Sequence, residues 1–226
     1  MMKSTKAMVI ALAIGLGFNG LANADERAWA WSPLGIGIAA PIQLPFIESD
    51  VYGIDAGVAE ICSRDFAGLQ ASALSWTEGN VYGVQFGALA NVVAGNSVAL
   101  QAGLLNVDWG DAGGLQLGLI NYNSNYRGVQ VGGIINWNEL SSYGLELGLI
   151  NANQDEFFGW AFGALVNHSD KFRGCGIGLI NTAYDARGCQ IGLVNACDRM
   201  HGVQFGLINL ICESKLPIMV LANASF

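Results

Sequence analysis

The sequence predicts an all-β fold made of about eleven tandem units of 14–16 residues. Three observations carry this. A motif G-x-Q-x-G-L-x-N recurs as "GLQLGLIN" at Gly114–Asn121, "GLELGLIN" at Gly144–Asn151, "GCQIGLVN" at Gly188–Asn195 and "GVQFGLIN" at Gly202–Asn209. Aliphatic residues alternate with Gly and Gln over short runs, without a 3.6-residue period, which is strand patterning. Segments such as "NYNSNYR" and "NTAYDAR" separate the runs, and Asn, Asp and Ser stabilise turns through local hydrogen bonds. The units suit a closed, shallow β-barrel of short hairpins, which leaves no exposed sheet edge. A parallel β-solenoid and an outer-membrane β-barrel are the alternatives.

The repeats run from about residue 53 to residue 212. Their first glycines are Gly53, Gly68, Gly83, Gly114, Gly128, Gly144, Gly159, Gly174, Gly188 and Gly202, with Ala99 in the fourth copy. Three copies carry an extra residue after the second glycine, as in "GVQVGGIIN" at Gly128–Asn136. In one continuous strand the insertion would send all later side chains to the opposite face. The second glycine is therefore expected at a bulge or tight bend. Each unit reads as strand, bend, strand and polar turn. Residues Trp29–Phe46 form an incomplete first unit, and residues 216–226 a closing strand.

The ends and the composition set the expected location. Residues 1–24 have Lys3 and Lys6, an apolar run from Ala7 to Phe18, and Ala22-Asn23-Ala24, the pattern of a cleaved export signal. Residues 25–226 then form a single domain. Without Lys3 and Lys6, 8 basic residues face 18 acidic ones, a net charge of −10. That balance argues against nucleic acid, which needs basic surface against its phosphates. Only 12% of residues are charged and 52% are hydrophobic. An ordinary soluble domain carries about twice that charge. The chain is thus expected in the periplasm, outer membrane or cell surface of a bacterium.

These units, with their Asn/Asp-rich turns and the "LPIMVLANASF" finish, resemble bacterial surface-repeat proteins with a β-flower fold, a shallow, nearly symmetric β-barrel. The resemblance covers about Gly53 to Phe226. It implies a fold and no catalytic activity, with lipid as the suggested ligand class. Phe226, with Ala224, Ala222, Val220 and Ile218 at alternate positions before it, also resembles the last strand of outer-membrane barrels.

No catalytic or metal signature appears. His168 and His201 lie in different units without metal-ligand spacing. No cofactor is implied, and the chain is expected not to be an enzyme. The Gln row (Gln70, Gln85, Gln101, Gln116, Gln130, Gln190, Gln204) and the Asn row starting at Asn91 read as amides that bond one another in register. Arg127, Arg173, Arg187 and His201 precede repeat glycines and are candidate contacts for anionic lipid head groups; their alternative is pairing with Asp170, Asp185 and Asp198 of nearby turns. Cys175 and Cys189 share one register in adjacent units, a candidate disulfide. Cys62 and Cys212 bracket the repeats and form a second candidate, which a closed ring would bring together. A solenoid would hold that pair roughly 45 Å apart. The expected function is a structural or binding module of the cell envelope, directed at membrane lipid or an apolar small molecule. An outer-membrane channel and a soluble scaffold for proteins are the alternatives.

Overall fold

A computed structural model describes residues 31–39, 42–44, 49–62 and 64–226. The export signal expected over residues 1–24 lies outside the described residues. The strands are β1 (Trp31–Ala39), β2 (Ile42–Leu44), β3 (Asp50–Cys62), β4 (Phe66–Thr77), β5 (Val81–Val93), β6 (Ser97–Asn138), β7 (Ser141–Ile191), β8 (Val194–Ile211) and β9 (Ile218–Ser225). They form one sheet in the order β2-β1-β3-β4-β5-β6-β7-β8-β9. Every pairing from β1 and β3 through β7 and β8 is parallel.

This is a parallel β-solenoid of about eleven turns. Each coil lies on the one before, with a repeat glycine on a repeat glycine: Gly53 on Gly68, Gly128 on Gly144, Gly188 on Gly202. The closed ring of hairpins expected first is not what the described residues form. A hairpin pairs its two strands antiparallel within one unit; here each strand pairs parallel with its counterpart one unit away. The outer-membrane barrel fails on the same ground, since its neighbours are antiparallel. Strand, bend and strand occur in both designs, so the motif alone could not separate them.

The two antiparallel pairings lie at the ends. β2 folds back on β1. At the other end β9 runs against β8, with Gln204 opposite Asn223 and Gly202 opposite Ser225. The expected closing strand thus covers the last coil instead of closing a barrel, and Phe226 is 94% exposed. Cys62 pairs in register with Thr77 near the first end, whereas Cys212 is a free thiol next to the last coil. In an open sheet these two cysteines are not neighbours, so that candidate disulfide is set aside.

β6 and β7 run 42 and 51 residues and pass through several coils each. Every coil bends at the same register, so ladder hydrogen bonds continue around the corners. The inserted residues are absorbed where the sequence suggested. Pairing slips between Gly87 and Ala90 and between Gly132 and Ile135, just after the second glycine. The bulge restores register within three residues, and Asn136 again faces Asn151.

The two glycine columns have different causes. The first glycine has φ between 111° and 150° in ten copies, a range that side chains avoid. A Cβ there would also point at the preceding coil; on Gly159 it would stand 1.9 Å from the Gly144 carbonyl oxygen. Ala99 occupies this register without the positive φ. The second glycine faces the Asn amide inside the corner: a Cβ on Gly163 would lie 2.5 Å from Asn167 Oδ1.

Gly159→Ala is therefore expected to cost about 3 kcal/mol or more, a Tm loss of roughly 6–12 °C in a domain of this size. Ala99→Gly should cost no more than about 1 kcal/mol. Thermal unfolding followed by circular dichroism checks both; equal Tm values for Gly159→Ala and wild type would contradict the stacked-glycine account.

Candidate functional site

The interior of the first half of the solenoid combines rows of buried polar side chains with apolar clusters, one of Val51, Phe66, Val81, Val93 and Ala99 and another of Val92, Val107 and Tyr122. The Gln row is buried and bonded along the axis: Gln85 Nε2 donates to Gln70 Oε1 at 2.8 Å, Gln101 to Gln85 at 3.0 Å, Gln116 to Gln101 at 2.8 Å and Gln130 to Gln116 at 3.0 Å. Each donor points toward the N-terminal end. The row starts at Asp55, which accepts from Gln70 Nε2 at 2.8 Å. A carboxylate suits that place because a one-way donor chain must end on an acceptor.

The Asn row runs the other way. Asn91 Nδ2 donates to Asn106 Oδ1 at 2.9 Å, and each following step to Asn209 is 2.8 Å. Ser75 Oγ begins the row by donating to Asn91 Oδ1 at 2.7 Å. The second Nδ2 hydrogen of most members ties down the next corner, as when Asn106 donates to the Leu117 carbonyl at 3.0 Å. This is the in-register amide bonding expected from the sequence.

Two buried carboxyl groups interrupt the amides. Glu146 stands in the Gln register and accepts from Ser142 Oγ at 2.7 Å, Asn138 Nδ2 at 2.9 Å and Asn153 Nδ2 at 3.0 Å. Asp108 belongs to a third interior row with Asn123, Asn138 and Asn153, and accepts from Gln101 and Gln116. Burial pushes both carboxyls up to about 7, although hydrogen bonds favour the charged form. Burial also raises Asp55. Glu146 was legible as a departure from the repeat; Asp108 was not, because its register varies between units.

The outside is the reverse. One residue after the second glycine, Leu104, Leu119, Leu149, Leu179, Leu193 and Leu207 form a row 40–59% exposed. Ile120, Ile180 and Ile208 follow directly and are also exposed, because the chain turns a corner there. Before the bend, Phe86, Leu117, Ile191 and Phe205 add a second row. Leu89, Ile134 and Leu165 keep the ridge apolar in the units with an insertion. Over the eight steps from Leu89 to Leu207, at about 4.8 Å each, the ridge is roughly 40 Å long. Contiguous exposed apolar surface of that extent marks an interaction face. Sequence reading missed it, because strand alternation alone assigns apolar residues to the interior.

The basic candidates sit on a different edge. Arg187 lies in register with His201, one residue before the stacked glycines, and Arg173 occupies the same place one coil earlier. Arg127 belongs to the same row three coils before Arg173. It lies over the Tyr143 ring at 5.4 Å, and Arg173 pairs with Glu156 at 3.2 Å. Arg173 thus bonds a different acidic residue from those the sequence suggested. The aromatic row continues through Tyr143 and the exposed Phe158, 6.4 Å apart, with Trp160 stacked on Phe162 nearby. The structure brings Arg173, Arg187 and His201 together as a stripe. Cys175 and Cys189 lie side by side on adjacent coils as free thiols, both half-buried.

Among the described residues no group of three or more His, Cys, Asp and Glu side chains could hold a metal ion. No described helix is long and apolar enough to cross a membrane. Comparison with family models, with curated proteins and with solved structures finds no match.

The buried carboxyls make stability depend on pH in a definite direction. Asp108 and Glu146 ionise near 7 when folded and near ~4 when unfolded. Between those values the folded chain holds protons that the unfolded chain has released. Stability therefore falls as pH rises from about 4 to 7, on the order of a few kcal/mol for the pair. Denaturant titrations should show a more stable protein at pH 5 than at pH 8, and Asp108→Asn with Glu146→Gln should flatten the profile. An unchanged slope in the double variant would contradict this assignment.

Proposed function

We propose that the protein is an exported, non-enzymatic repeat protein of the bacterial cell envelope that binds lipid surfaces through its apolar ridge. The observation that carries the reading is the inverted polarity of the solenoid. Rows of buried amides and carboxyls share the interior with apolar clusters around Phe66 and Val107, while Leu, Ile and Phe rows stand exposed on the outside along the axis. Exposing such rows to water costs roughly 25 cal/mol per Å² of apolar surface, which seating against acyl chains would recover.

The rest of the surface fits a chain lying on a bilayer with its axis in the membrane plane. Exposed aromatic rings favour the headgroup level, and basic side chains favour anionic headgroups. Tyr143, Phe158 and Trp160 supply the first kind of contact, and Arg127, Arg173, Arg187 and His201 the second. The acidic turn residues would face water.

The test is flotation of the full chain with vesicles of phosphatidylethanolamine and phosphatidylglycerol. Wild type is expected to float with the lipid. Leu149→Glu with Leu179→Glu should reduce partitioning at least about tenfold, since each buried leucine contributes roughly 1.5–3 kcal/mol. Arg173→Glu with Arg187→Glu should weaken binding mainly to the anionic vesicles and remove part of its salt dependence. A folded wild type that neither floats with vesicles nor binds detergent or an apolar dye would overturn the proposal.

A further inference from the structure

Cys175 and Cys189 take no part in the polar interior or in the apolar ridge. They occupy the register directly after the first glycine in successive coils, with Gly174 stacked against Gly188. The preceding coil carries Trp160 at that register and the following one Val203, which pairs with Cys189. The two thiols lie close enough to interact with one another across the coil step. Adjacent coils place equivalent Cα atoms about 4.8 Å apart, inside the roughly 4.4–6.8 Å that a disulfide spans. Both cysteines are half-buried, so a small reagent can reach them.

Their position has a second feature. The interior Gln row is absent here. After Glu146 its register holds Ala161 and Gly176, and Gln appears again only at Gln190 and Gln204. Gly176 cannot bond to Gln190 through a side chain, so these two coils lack a Gln-row link and are joined through the Asn row alone, Asn181 donating to Asn195 at 2.8 Å. Cys175 and Cys189 each immediately precede those residues. A covalent bond between them would link the same two coils at a step where the Gln-row link is missing.

We propose that Cys175 and Cys189 are a thiol pair that closes reversibly into a coil-to-coil disulfide by exchange with a disulfide-bearing reagent or protein. One cysteine, as thiolate, attacks the donor disulfide, forms a mixed disulfide and releases one donor thiol. The second cysteine attacks the protein sulfur of that mixed disulfide and expels the other donor half as a thiol. The pair loses two protons and two electrons, and the donor disulfide is reduced to two thiols. Excess dithiol reductant reverses the sequence. Burial, with Cys189 alongside, holds the Cys175 thiol above its ordinary value, so exchange should speed up with rising pH.

The experiment exposes the reduced full chain to oxidised glutathione at mildly alkaline pH, then maps peptides without reduction. The expected product is one linked pair, Cys175 to Cys189, with the loss of two hydrogens and no retained glutathione. Its Tm should rise by roughly 6–12 °C, as closing a loop of about 15 residues predicts, and return on reduction. Cys189→Val should fold, since Val203 holds the same register one coil on, and should trap glutathione on Cys175 without a Tm rise. Retained glutathione on both cysteines of wild type, or a link from either to another cysteine, would overturn the proposal. So would a linked pair that leaves Tm unchanged, since the bond would then not bridge folded coils.

Discussion

The structure depends on amides hydrogen-bonding along the solenoid axis. A parallel stack puts like on like, and few buried polar side chains tolerate that. An ionised carboxylate repels its neighbour, and a lone hydroxyl gives weaker continuity. A primary amide has a donor and an acceptor on one planar group, so each can give upward and receive from below. Here the two rows use that property in opposite senses: Gln donors point toward the N-terminal end and Asn donors toward the C-terminal end. Aligned amide dipoles in one row are thus opposed by those in the other. Both rows also begin on suitable groups, the acceptor Asp55 and the donor Ser75.

That constraint governs the backbone. The Asn amide fills the inside of a corner, which excludes a side chain on the second glycine. Its remaining hydrogen holds the next coil's carbonyl, so the corner and the ladder are one interaction. It also governs the outside. Interior positions occupied by amides cannot hold apolar residues. Many of the aliphatic side chains that give the strands their β-propensity, the Leu row among them, consequently face outward, while Val81, Val93 and Val107 fill interior positions that the amides leave. An exposed apolar ridge follows from the same motif that builds the polar interior.

Much of this was legible in the sequence, and the failures share one physical cause. The count and length of the units, the bend at the second glycine, the tolerance of one inserted residue there and the amide bonding all follow from local chemistry. Pairing direction is not local. "GLQLGLIN" describes a strand, a bend and a strand whether its hydrogen bonds close within the unit or on the next one. Gln on Gln at successive steps of 14–16 residues, from Gln70 to Gln130, was the available sign of parallel in-register stacking. The ridge was hidden by the usual assumption that Leu and Ile mark the inside. The candidate link between Cys62 and Cys212 depended on closure and fell with it, whereas Cys175 and Cys189 depended only on register and are adjacent.

The second half of the solenoid shows that register, more than residue identity, is what the repeat maintains. Where the Gln row breaks, apolar side chains take its place, with Phe157, Ala161, Phe172, Ala186, Met200 and Ile211 packed together. Phe157 and Phe172 stack at 5.6 Å, as like-on-like pairs do in the amide rows. The exchange is local: a Cβ on Gly176 would meet the Phe172 ring at 3.1 Å, so the ring occupies space that a glutamine would need. The Asn row continues unbroken through this region to Asn209, and the outer leucines keep their exposure. The interior can therefore change from amide to aromatic within a coil or two without altering the corner or the ridge. Only the corner amide and the two glycine columns act on the path of the chain; the other interior row fills volume and supplies axial bonds where it can.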